Sequence, residues 1–359
     1  MSNHTTLKKA LAELEKNKEQ FEAVHCKTHC VVLAGPGSGK TKTLTTAIAR
    51  TLKEEVIAPR AIACITYNNE CAIELETRLS KLGVDTTGTN FIGTVHSFAL
   101  TQIIMPYSRC VESNIPQDFK VADLKECRIA IENAYKKIYQ DSGDPYKQWE
   151  FAKEKRNREL DRTLPIWKGH NKELAEFIEE YEQELRKKGL IDFDDMPLIA
   201  FRMIKENPWI CDAIEARFPI LFVDEYQDLG HGLHELVQLL CFDGNVRLFA
   251  VGDADQSIYG FTGANPELLQ SLTLRQDVQT FQLKFNYRSG TKIVKASSAA
   301  LNENRHYESP EDTPEGEIKF HPVNGGLEEQ AYFIVNKLLA ELNRKGFKNE
   351  NIAILYRAA

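Results

Sequence analysis

The segment AGPGSGKT, residues 34–41, constrains the fold of this chain more strongly than any other part of the sequence. It follows an apolar run at 30–34 and precedes a helical pattern that begins near Thr41. Glycines in such a turn let successive backbone N–H groups converge on a phosphate at the positive end of the following helix. The pattern therefore predicts a strand, a phosphate-binding loop and a helix. The predicted ATP-binding residues of the loop are Ala34, Gly35, Pro36, Gly37, Ser38, Gly39, Lys40 and Thr41.

Two side chains of this loop and two carboxylates elsewhere predict nucleotide chemistry. We expect Lys40 to reach the β- and γ-phosphates and the Thr41 hydroxyl to ligate Mg²⁺. The apolar run in LFVDEYQD, residues 221–228, ends in two carboxylates, and such a strand delivers them to the sheet edge where phosphates lie. We expect Asp224 to hold Mg²⁺ and Glu225 to polarise the attacking water. The alternative is a solvated acidic turn, but beside a phosphate loop the pattern indicates nucleotide hydrolysis.

Three more residues follow apolar runs in positions that suit the same site. Gln256, in VGDADQSIYGF, is placed to sense the γ-phosphate, and Arg288, in FNYRSG, to stabilise charge in the transition state as an arginine finger. Tyr287 is placed to stack on the adenine ring. The alternatives are a surface glutamine and a surface arginine–carboxylate pair.

The apolar runs together predict the α/β fold class. Further runs lie at 61–66, 91–95, 247–253 and 278–283, with helical patterns such as 68–82 and 230–241 between them. Continuous apolar runs bounded by turns are typical of buried parallel strands. Ahead of them, apolar residues at helical spacing predict one amphipathic helix from Leu7 to about Val24.

Changes in composition and hydrophobic pattern along the chain predict its domain organisation. Residues 105–200 are charged, aromatic and without a strand run, which predicts a helical insertion subdomain between 1–104 and 201–285 of a first α/β domain. Within it, the basic and aromatic run at 146–168 is equally consistent with contacts to duplex phosphates and with a solvated charged face. Residues 286–359 predict the beginning of a second, incomplete domain. They contain the strand-like segments EIKFHPV and NIAILYR on either side of a helical pattern near 328–343.

Composition excludes several classes of protein. Of the 359 residues, 42% are hydrophobic and 27% are charged, which is ordinary for a globular chain and argues against disorder. Lys plus Arg number 45 against 52 Asp plus Glu, a net charge of −7, so the surface is not uniformly basic, although a basic groove remains compatible with this total. The sequence has neither a long apolar run nor a leader-like N-terminus, and its eight cysteines are scattered, so we expect a cytoplasmic protein with no membrane contact.

In this order and spacing the motifs resemble those of the UvrD/Rep/PcrA family of superfamily 1 DNA helicases. Besides the phosphate loop, DEYQD, GDADQSIYGF and NYRS, the segments NKEQFEAV, TYNNECAIELETRL, GTVHSF, GLIDFDD and NIAILYR are similar to family motifs. The resemblance spans essentially the whole chain. It implies a RecA-like P-loop NTPase sheet, a helical insertion and the start of a second RecA-like domain.

The resemblance also implies a mechanism. Two RecA-like domains close on ATP, and the protein moves along single-stranded or partially duplex DNA with 3′-to-5′ polarity. Gln20 and Lys42 match family positions near the adenine. The positions implied to contact DNA are Tyr67, Asn68, His96, Tyr259 and Phe261, where aromatic rings suit stacking on bases; the alternative for Tyr259 and Phe261 is ordinary core packing.

The chain departs from the family pattern at four points. Lys42 stands where relatives often have Arg, Asn69 where they usually have Lys, and Phe261-Thr262 replaces Trp-Arg. These changes weaken expected contacts without changing the interpretation. The fourth point is that the chain stops at Ala359, ahead of the family's last motifs, so we expect either a fragment of a longer helicase or a short form completed by a partner.

The sequence thus predicts an ATP- and Mg²⁺-dependent DNA helicase or single-stranded DNA translocase. One alternative is the DNA-sensing ATPase subunit of a nuclease complex, such as the Gabija antiphage system, with a partner nuclease. The other is a nucleotide-dependent binding module that does not hydrolyse ATP, although a catalytic carboxylate has no use in such a module.

Overall fold

The computed structural model describes residues 2–86, 88–112, 115–140, 143–169, 171–253, 256, 265, 267–301 and 307–356. The chain divides into two compact units. The first comprises 1–289 and 304–313, and the second comprises 290–303 and 314–359.

The first unit is built on a six-stranded parallel sheet with the order β3-β2-β6-β7-β1-β8. The main strands are β1 (His29–Ala34), β2 (Ala63–Thr66), β3 (Phe91–Thr94), β6 (Ile220–Val223), β7 (Arg247–Gly252) and β8 (Val278–Leu283), and a short pair is formed by β4 (Lys120–Val121) and β5 (Leu190–Ile191). All six apolar runs predicted as parallel strands are strands of this sheet. The predicted α/β class with a parallel RecA-like sheet is confirmed.

Helices surround the sheet and fill the insertion. Those of the first unit are α1 (Ser2–Leu14), α2 (Lys18–His25), α3 (Lys40–Glu54), α4 (Asn69–Lys81), α5 (Val95–Phe98), α6 (Met105–Tyr107), α7 (Leu124–Tyr139), α8 (Pro145–Arg158), α9 (Ile166–Gly169), α10 (Lys172–Lys187), α11 (Asp195–Glu206), α12 (Trp209–Arg217), α13 (His231–Gln238) and α14 (Glu267–Thr273). Wider π-helical turns follow α5 at Ala99–Ile104 and α13 at Leu239–Asp243.

The sheet is buried on both faces because successive strand residues enter different cores. Val31 belongs to a core formed with α11 and α13, whereas its neighbour Val32 belongs to a core formed with α2 and α3. Strands buried on both sides have no polar alternation, which is why their sequences are continuous apolar runs.

The insertion has its own core around Trp167, Phe177 and Tyr181, on helices α7 to α10. The prediction that residues 105–200 contain no strand is wrong in one detail, because β4 pairs with β5 there. These strands are two residues long, too short to give a periodic signal in the sequence.

The predicted single helix from Leu7 to about Val24 is also wrong, since α1 ends at Leu14 and α2 begins at Lys18. Asn17 causes the break, because its buried side chain accepts a hydrogen bond from the Gln20 amide and so caps α2. Apolar spacing alone does not reveal such a cap inside a continuous periodic pattern.

The second unit contains α15 (Thr291–Leu301), α16 (Leu327–Phe333), a π-helical turn and α17 (Leu339–Arg344). The predicted strands EIKFHPV and NIAILYR are wrong within the described residues, because neither 317–323 nor 352–356 pairs with another described segment. Their apolar side chains are exposed, 91% for Phe320 and 94% for Leu355. Pairing across a sheet, rather than apolar content, defines a strand.

In the described part of the chain, no helix is both long enough and apolar enough to cross a membrane.

Candidate nucleotide-binding site

The phosphate-binding loop joins β1 to α3 at the carboxyl edge of the sheet. The carbonyl of Gly35 accepts hydrogen bonds from the Ser38 amide at 3.2 Å and from the Ser38 hydroxyl at 2.7 Å, which closes the turn. Lys40 is the first residue of α3, so the loop leads directly into the positive end of this 15-residue helix.

Two glycines of the loop are required by its backbone. Gly37 and Gly39 have φ of +69° and +86°, a left-handed conformation that other residues rarely adopt. A Cβ on Gly39 would lie 2.6 Å from Nε2 of Gln20, and a Cβ on Gly37 the same distance from Cβ of Arg288. The loop therefore has no room for side chains at these two positions.

Lys40 is bound to the acidic residues that follow β6. Its Nζ donates to Oε2 of Glu225 at 2.9 Å and to Oε1 of Gln256 at 3.4 Å. Glu225 itself has φ of +48°, an unusual backbone conformation for a residue with a side chain. The structure thus brings together three of the predicted catalytic residues. Because Gln256 contacts Lys40, the alternative that it is an ordinary surface glutamine does not describe its position.

Two further residues close these contacts into a ring. Gln227 donates from Nε2 to Glu225 Oε2 at 2.9 Å and accepts a hydrogen bond from the Asp253 amide at 2.9 Å. The Asp253 carboxylate accepts from Nε2 of Gln256 at 2.7 Å. The ring links the ends of β6 and β7 to the phosphate loop, and Gln227 is almost completely buried in it.

Asp224 lies at the end of β6, where its amide donates to the Ile65 carbonyl at 2.9 Å. Its carboxylate is buried and accepts a hydrogen bond from the Glu225 amide at 3.1 Å, and no described Lys or Arg is within ion-pair distance. Burial, and then the charge of Glu225, raises the pKa of Asp224 to about 7. A buried carboxylate that lacks a cationic partner suits a bound cation, and oxygen donors such as Asp224 and the Thr41 hydroxyl are what Mg²⁺ prefers.

The predicted adenine-side residues form a second group. Buried Gln20 donates from Nε2 to the Ser38 carbonyl at 3.0 Å. The Tyr287 amide donates to the Gly37 carbonyl at 2.8 Å, and its hydroxyl accepts from Asn17 Nδ2 at 3.0 Å. Because 52% of Tyr287 is exposed, its ring has a free face beside the loop.

Two predicted cations lie at the rim of this region. Lys42 pairs with Glu13 of α1 at 2.8 Å and is exposed. Arg288 is exposed, with its Cβ beside Gly37, and no described carboxylate pairs with it. The alternative of a surface arginine–carboxylate pair therefore has no counterpart among the described residues.

The described residues predicted to contact DNA follow β2 and β3, whose carboxyl ends pair at Thr66 and Thr94. Tyr67 and Asn68 come directly after β2, and Asn68 caps α4 by accepting from the Cys71 amide at 2.8 Å. His96 lies after β3 and stacks on Phe193 at a centroid distance of 3.9 Å. Burial lowers the pKa of His96 to about 4. Tyr259 and Phe261 lie outside the described residues.

Sequence reasoning missed three residues of this edge. Gln227 is inside the quoted DEYQD motif, and its position two residues after Glu225 was the available signal. Phe193 is inside the quoted GLIDFDD segment, and that segment was the available signal. In the structure its ring is 56% exposed, which is unusual for an aromatic ring next to buried residues. No sequence signal marked Tyr307, whose ring lies against Gly35.

The parallel sheet, the phosphate loop and the carboxylates after β6 define a P-loop nucleotide-binding protein with a RecA-like domain. The UvrD/REP helicase N-terminal domain family matches residues 16–277, and the chain belongs to this family.

Individual relatives agree with this assignment. The chain is 31% identical to the ATP-dependent DNA helicase Rep of Buchnera aphidicola over 91% of its own length and 52% of the relative's. It is 29% identical to DNA helicase II of Escherichia coli, over 95% and 48%, and 29% identical to the ATP-dependent DNA helicase PcrA of Staphylococcus aureus, over 95% and 47%. The chain spans about half the length of the curated relatives it matches.

Proposed function

We propose that this chain supplies the nucleotide-binding half of an ATP-dependent DNA helicase that moves along single-stranded DNA with 3′-to-5′ polarity. The observation that carries the proposal is the contact between Lys40 Nζ and Glu225 Oε2 at 2.9 Å. The lysine on the phosphate loop after β1 and the carboxylate after β6, with β7 between these strands, are the groups that hold phosphate and activate water.

Lys40 has two alternative partners in this proposal. Without nucleotide it neutralises Glu225, and with ATP it turns to the β- and γ-phosphates. Glu225 is then available to accept a proton from the attacking water. Gln227 holds the same carboxylate oxygen in both states, so Glu225 stays in place when Lys40 leaves.

The other residues of the site have positioning roles. Asp224 and Thr41 hold Mg²⁺, which when bound neutralises charge on the phosphates. Gln20 and Tyr287 face the base, and Arg288 approaches the developing charge. Gln256 contacts both Lys40 and Asp253, so it is placed to transmit a change at Lys40 to the end of β7.

DNA contact is proposed for the edge formed by the ends of β2 and β3. Tyr67, Asn68 and His96 share this edge with the nucleotide site because the carboxyl ends of all parallel strands lie on one side. The exposed ring of Phe193 on His96 offers a stacking surface for a base. Tyr259 and Phe261 are proposed to continue this track.

Nucleotide binding tests the proposal directly. A fluorescent ATP analogue with Mg²⁺ should bind the wild-type chain, and Lys40→Ala should weaken binding at least about tenfold, because a charge-assisted contact to phosphate is lost. Lys53→Ala is the matched control, since Lys53 is exposed in the last turn of the same helix, α3, at the end away from the phosphate loop. Equal binding by all three proteins would contradict the assignment of the site.

Polarity and track need a separate experiment on the full-length protein that includes this chain. Displacement of streptavidin from biotin placed at either end of a single strand should be faster at the 5′ end. Faster displacement at the 3′ end would contradict the proposed direction.

The paired Lys40 and Glu225 argue against a module that only binds nucleotide. A nuclease partner stays a prediction of the sequence, as does cytoplasmic localisation.

A further inference from the structure

A cleft of about 510 Å³ lies at the base of the helical insertion, between α10 and α11, in the first unit. Four of the seven residues that line it are cations and two are carboxylates. The cations are Arg162, Arg186, Lys187 and Arg202. None of them belongs to the proposed nucleotide site or to the proposed DNA edge.

Most charges around this cleft already have partners. Arg162 donates to both carboxylate oxygens of Glu182, at 2.7 and 2.6 Å, and Arg186 donates to Asp195 at 2.8 Å. The second carboxylate of the cleft, Glu179, accepts from the indole of Trp167 at 2.8 Å. These pairs leave no carboxylate uncommitted.

Arg202 is different, because it makes no hydrogen bond or ion pair with any residue that the structure describes. It is half-buried on α11, and burial together with the nearby charge of Arg162 lowers its pKa from the ordinary arginine value, against the opposing charges of Glu182, Asp195 and Glu206. Partial burial of a guanidinium that has no hydrogen-bonded anion is unfavourable.

A second unpaired donor lies in the same lining. The side chain of Arg162 is only 7% exposed, and its buried Nε has no hydrogen-bond partner among the described residues. Arg186 and Arg202 also line an adjoining cleft of about 210 Å³, which includes Glu112 and Glu206. The two arginines therefore stand where the clefts meet, and room for a ligand exists beside both of them.

We propose that this cleft binds a phosphate group, with Arg202 as its principal ligand and Arg186 as the second. Arginine suits this role because its planar fork matches the oxygens of phosphate. The group is either free phosphate or a phosphodiester of the DNA backbone, since both present the same oxygens.

The test measures the affinity of inorganic phosphate by calorimetry, at constant ionic strength with chloride as the balancing anion. It uses the Lys40→Ala protein, because the phosphate loop itself attracts phosphate. Arg202→Gln in this background should lower the affinity at least about tenfold. Lys172→Gln is the control, since this residue is on α10 but 71% exposed and pairs with Glu176 on the same helix. Equal affinity in the Arg202 variant, or no phosphate binding in the Lys40→Ala protein, overturns the proposal.

Thermal unfolding separates a ligand site from a structural role. Without phosphate, Arg202→Gln should raise the midpoint, because it removes a charge that has no partner. A lower midpoint would show that Arg202 stabilises the fold through contacts of its own, and would overturn the proposal. A short oligothymidylate that displaces phosphate identifies the DNA backbone as the source, and one that leaves phosphate bound identifies free phosphate.

Discussion

The ammonium of Lys40 and the carboxylate of Glu225 form an ion pair of 2.9 Å across the carboxyl edge of the sheet. Lys40 starts α3 and Glu225 follows β6, so the contact joins two motifs that are 185 residues apart in sequence. Gln227 donates to the same oxygen of Glu225, so in the proposed function the carboxylate stays anchored when Lys40 turns to phosphate.

Replacing Glu225 with Gln should separate binding from catalysis. The neutral amide keeps the size and the hydrogen-bonding oxygen but is a poor proton acceptor, so ATP turnover should fall about 10²–10⁴-fold while nucleotide affinity changes little. Turnover is measured by phosphate release, and affinity by a fluorescent ATP analogue. Glu176→Gln, which removes an ion pair with Lys172 on α10, is the control. Loss of nucleotide binding in Glu225→Gln would show that Glu225 is not the base.

Replacing Phe193 with Ala should weaken binding of single-stranded DNA. The ring stacks on His96 and is more than half exposed, and base stacking on an aromatic ring is worth about 1–3 kcal/mol. Fluorescence anisotropy of a labelled oligonucleotide measures the affinity, and the nucleotide affinity should not change. Phe151→Ala is the matched control, because Phe151 is 55% exposed on α8. Unchanged DNA affinity in Phe193→Ala would remove this ring from the proposed track.

Replacing Arg156 with Met should destabilise the insertion strongly. Arg156 is fully buried and contacts Glu182, Asp192 and Asp195. Removing Arg156 leaves buried Asp192 without a cationic partner among the described residues, while Glu182 and Asp195 keep Arg162 and Arg186; the cost is about 3–5 kcal/mol. Denaturant unfolding measures the change. Arg158→Met, an exposed arginine on the same helix, should change the free energy of unfolding by less than about 0.5 kcal/mol. Similar losses in both variants would contradict a role for the buried network.

Replacing Glu235 with Gln should alter the pH dependence of stability. Burial raises the pKa of Glu235 from 4.5 to about 6, and its Oε2 accepts no hydrogen bond from the part of the chain that the structure describes. The folded state therefore holds the proton more tightly than the unfolded state. The resulting stabilisation is complete below pH 4.5 and is lost as the pH rises through about 6.

The neutral glutamine does not undergo this loss. Above pH 7 the variant should exceed the wild type in free energy of unfolding by roughly 1 kcal/mol, after allowing for partial exposure, and the advantage should vanish below pH 4.5. Denaturant unfolding at several pH values checks this, with Glu70→Gln on the exposed face of α4 as the control. A difference that does not change with pH would contradict the assignment to Glu235.

Local pattern predicted the six strands of the sheet, and it singled out residues after β1 and β6 that the structure brings together. The phosphate loop and the acidic end of β6 are short segments in which residue type and spacing carry the chemistry, and the parallel sheet brings them together whatever their separation in sequence. Gln227 was missed because its role depends on Asp253, a partner 26 residues away.

Tertiary contacts decided the features that the sequence did not reveal. Within the basic run at 146–168, Arg156 and Arg162 form ion pairs with carboxylates of α10 and α11. The sequence pattern of this run does not distinguish such buried arginines from surface cations. The break at Asn17 is likewise fixed by a cap and by a contact to Tyr287, 270 residues later. The expected strands near 320 and 354 lack a paired neighbour among the described residues, and pairing is a property that apolar content cannot supply.

The central claim is that Lys40 and Glu225 form the catalytic centre of a DNA-dependent ATPase, and the measurement that tests it most directly is ATP hydrolysis with and without single-stranded DNA. It is made on the intact protein, with Lys40→Ala as the blank. We expect DNA to stimulate hydrolysis at least about tenfold, and the blank to show none. Hydrolysis that is indifferent to DNA, or that persists in Lys40→Ala, would contradict the claim.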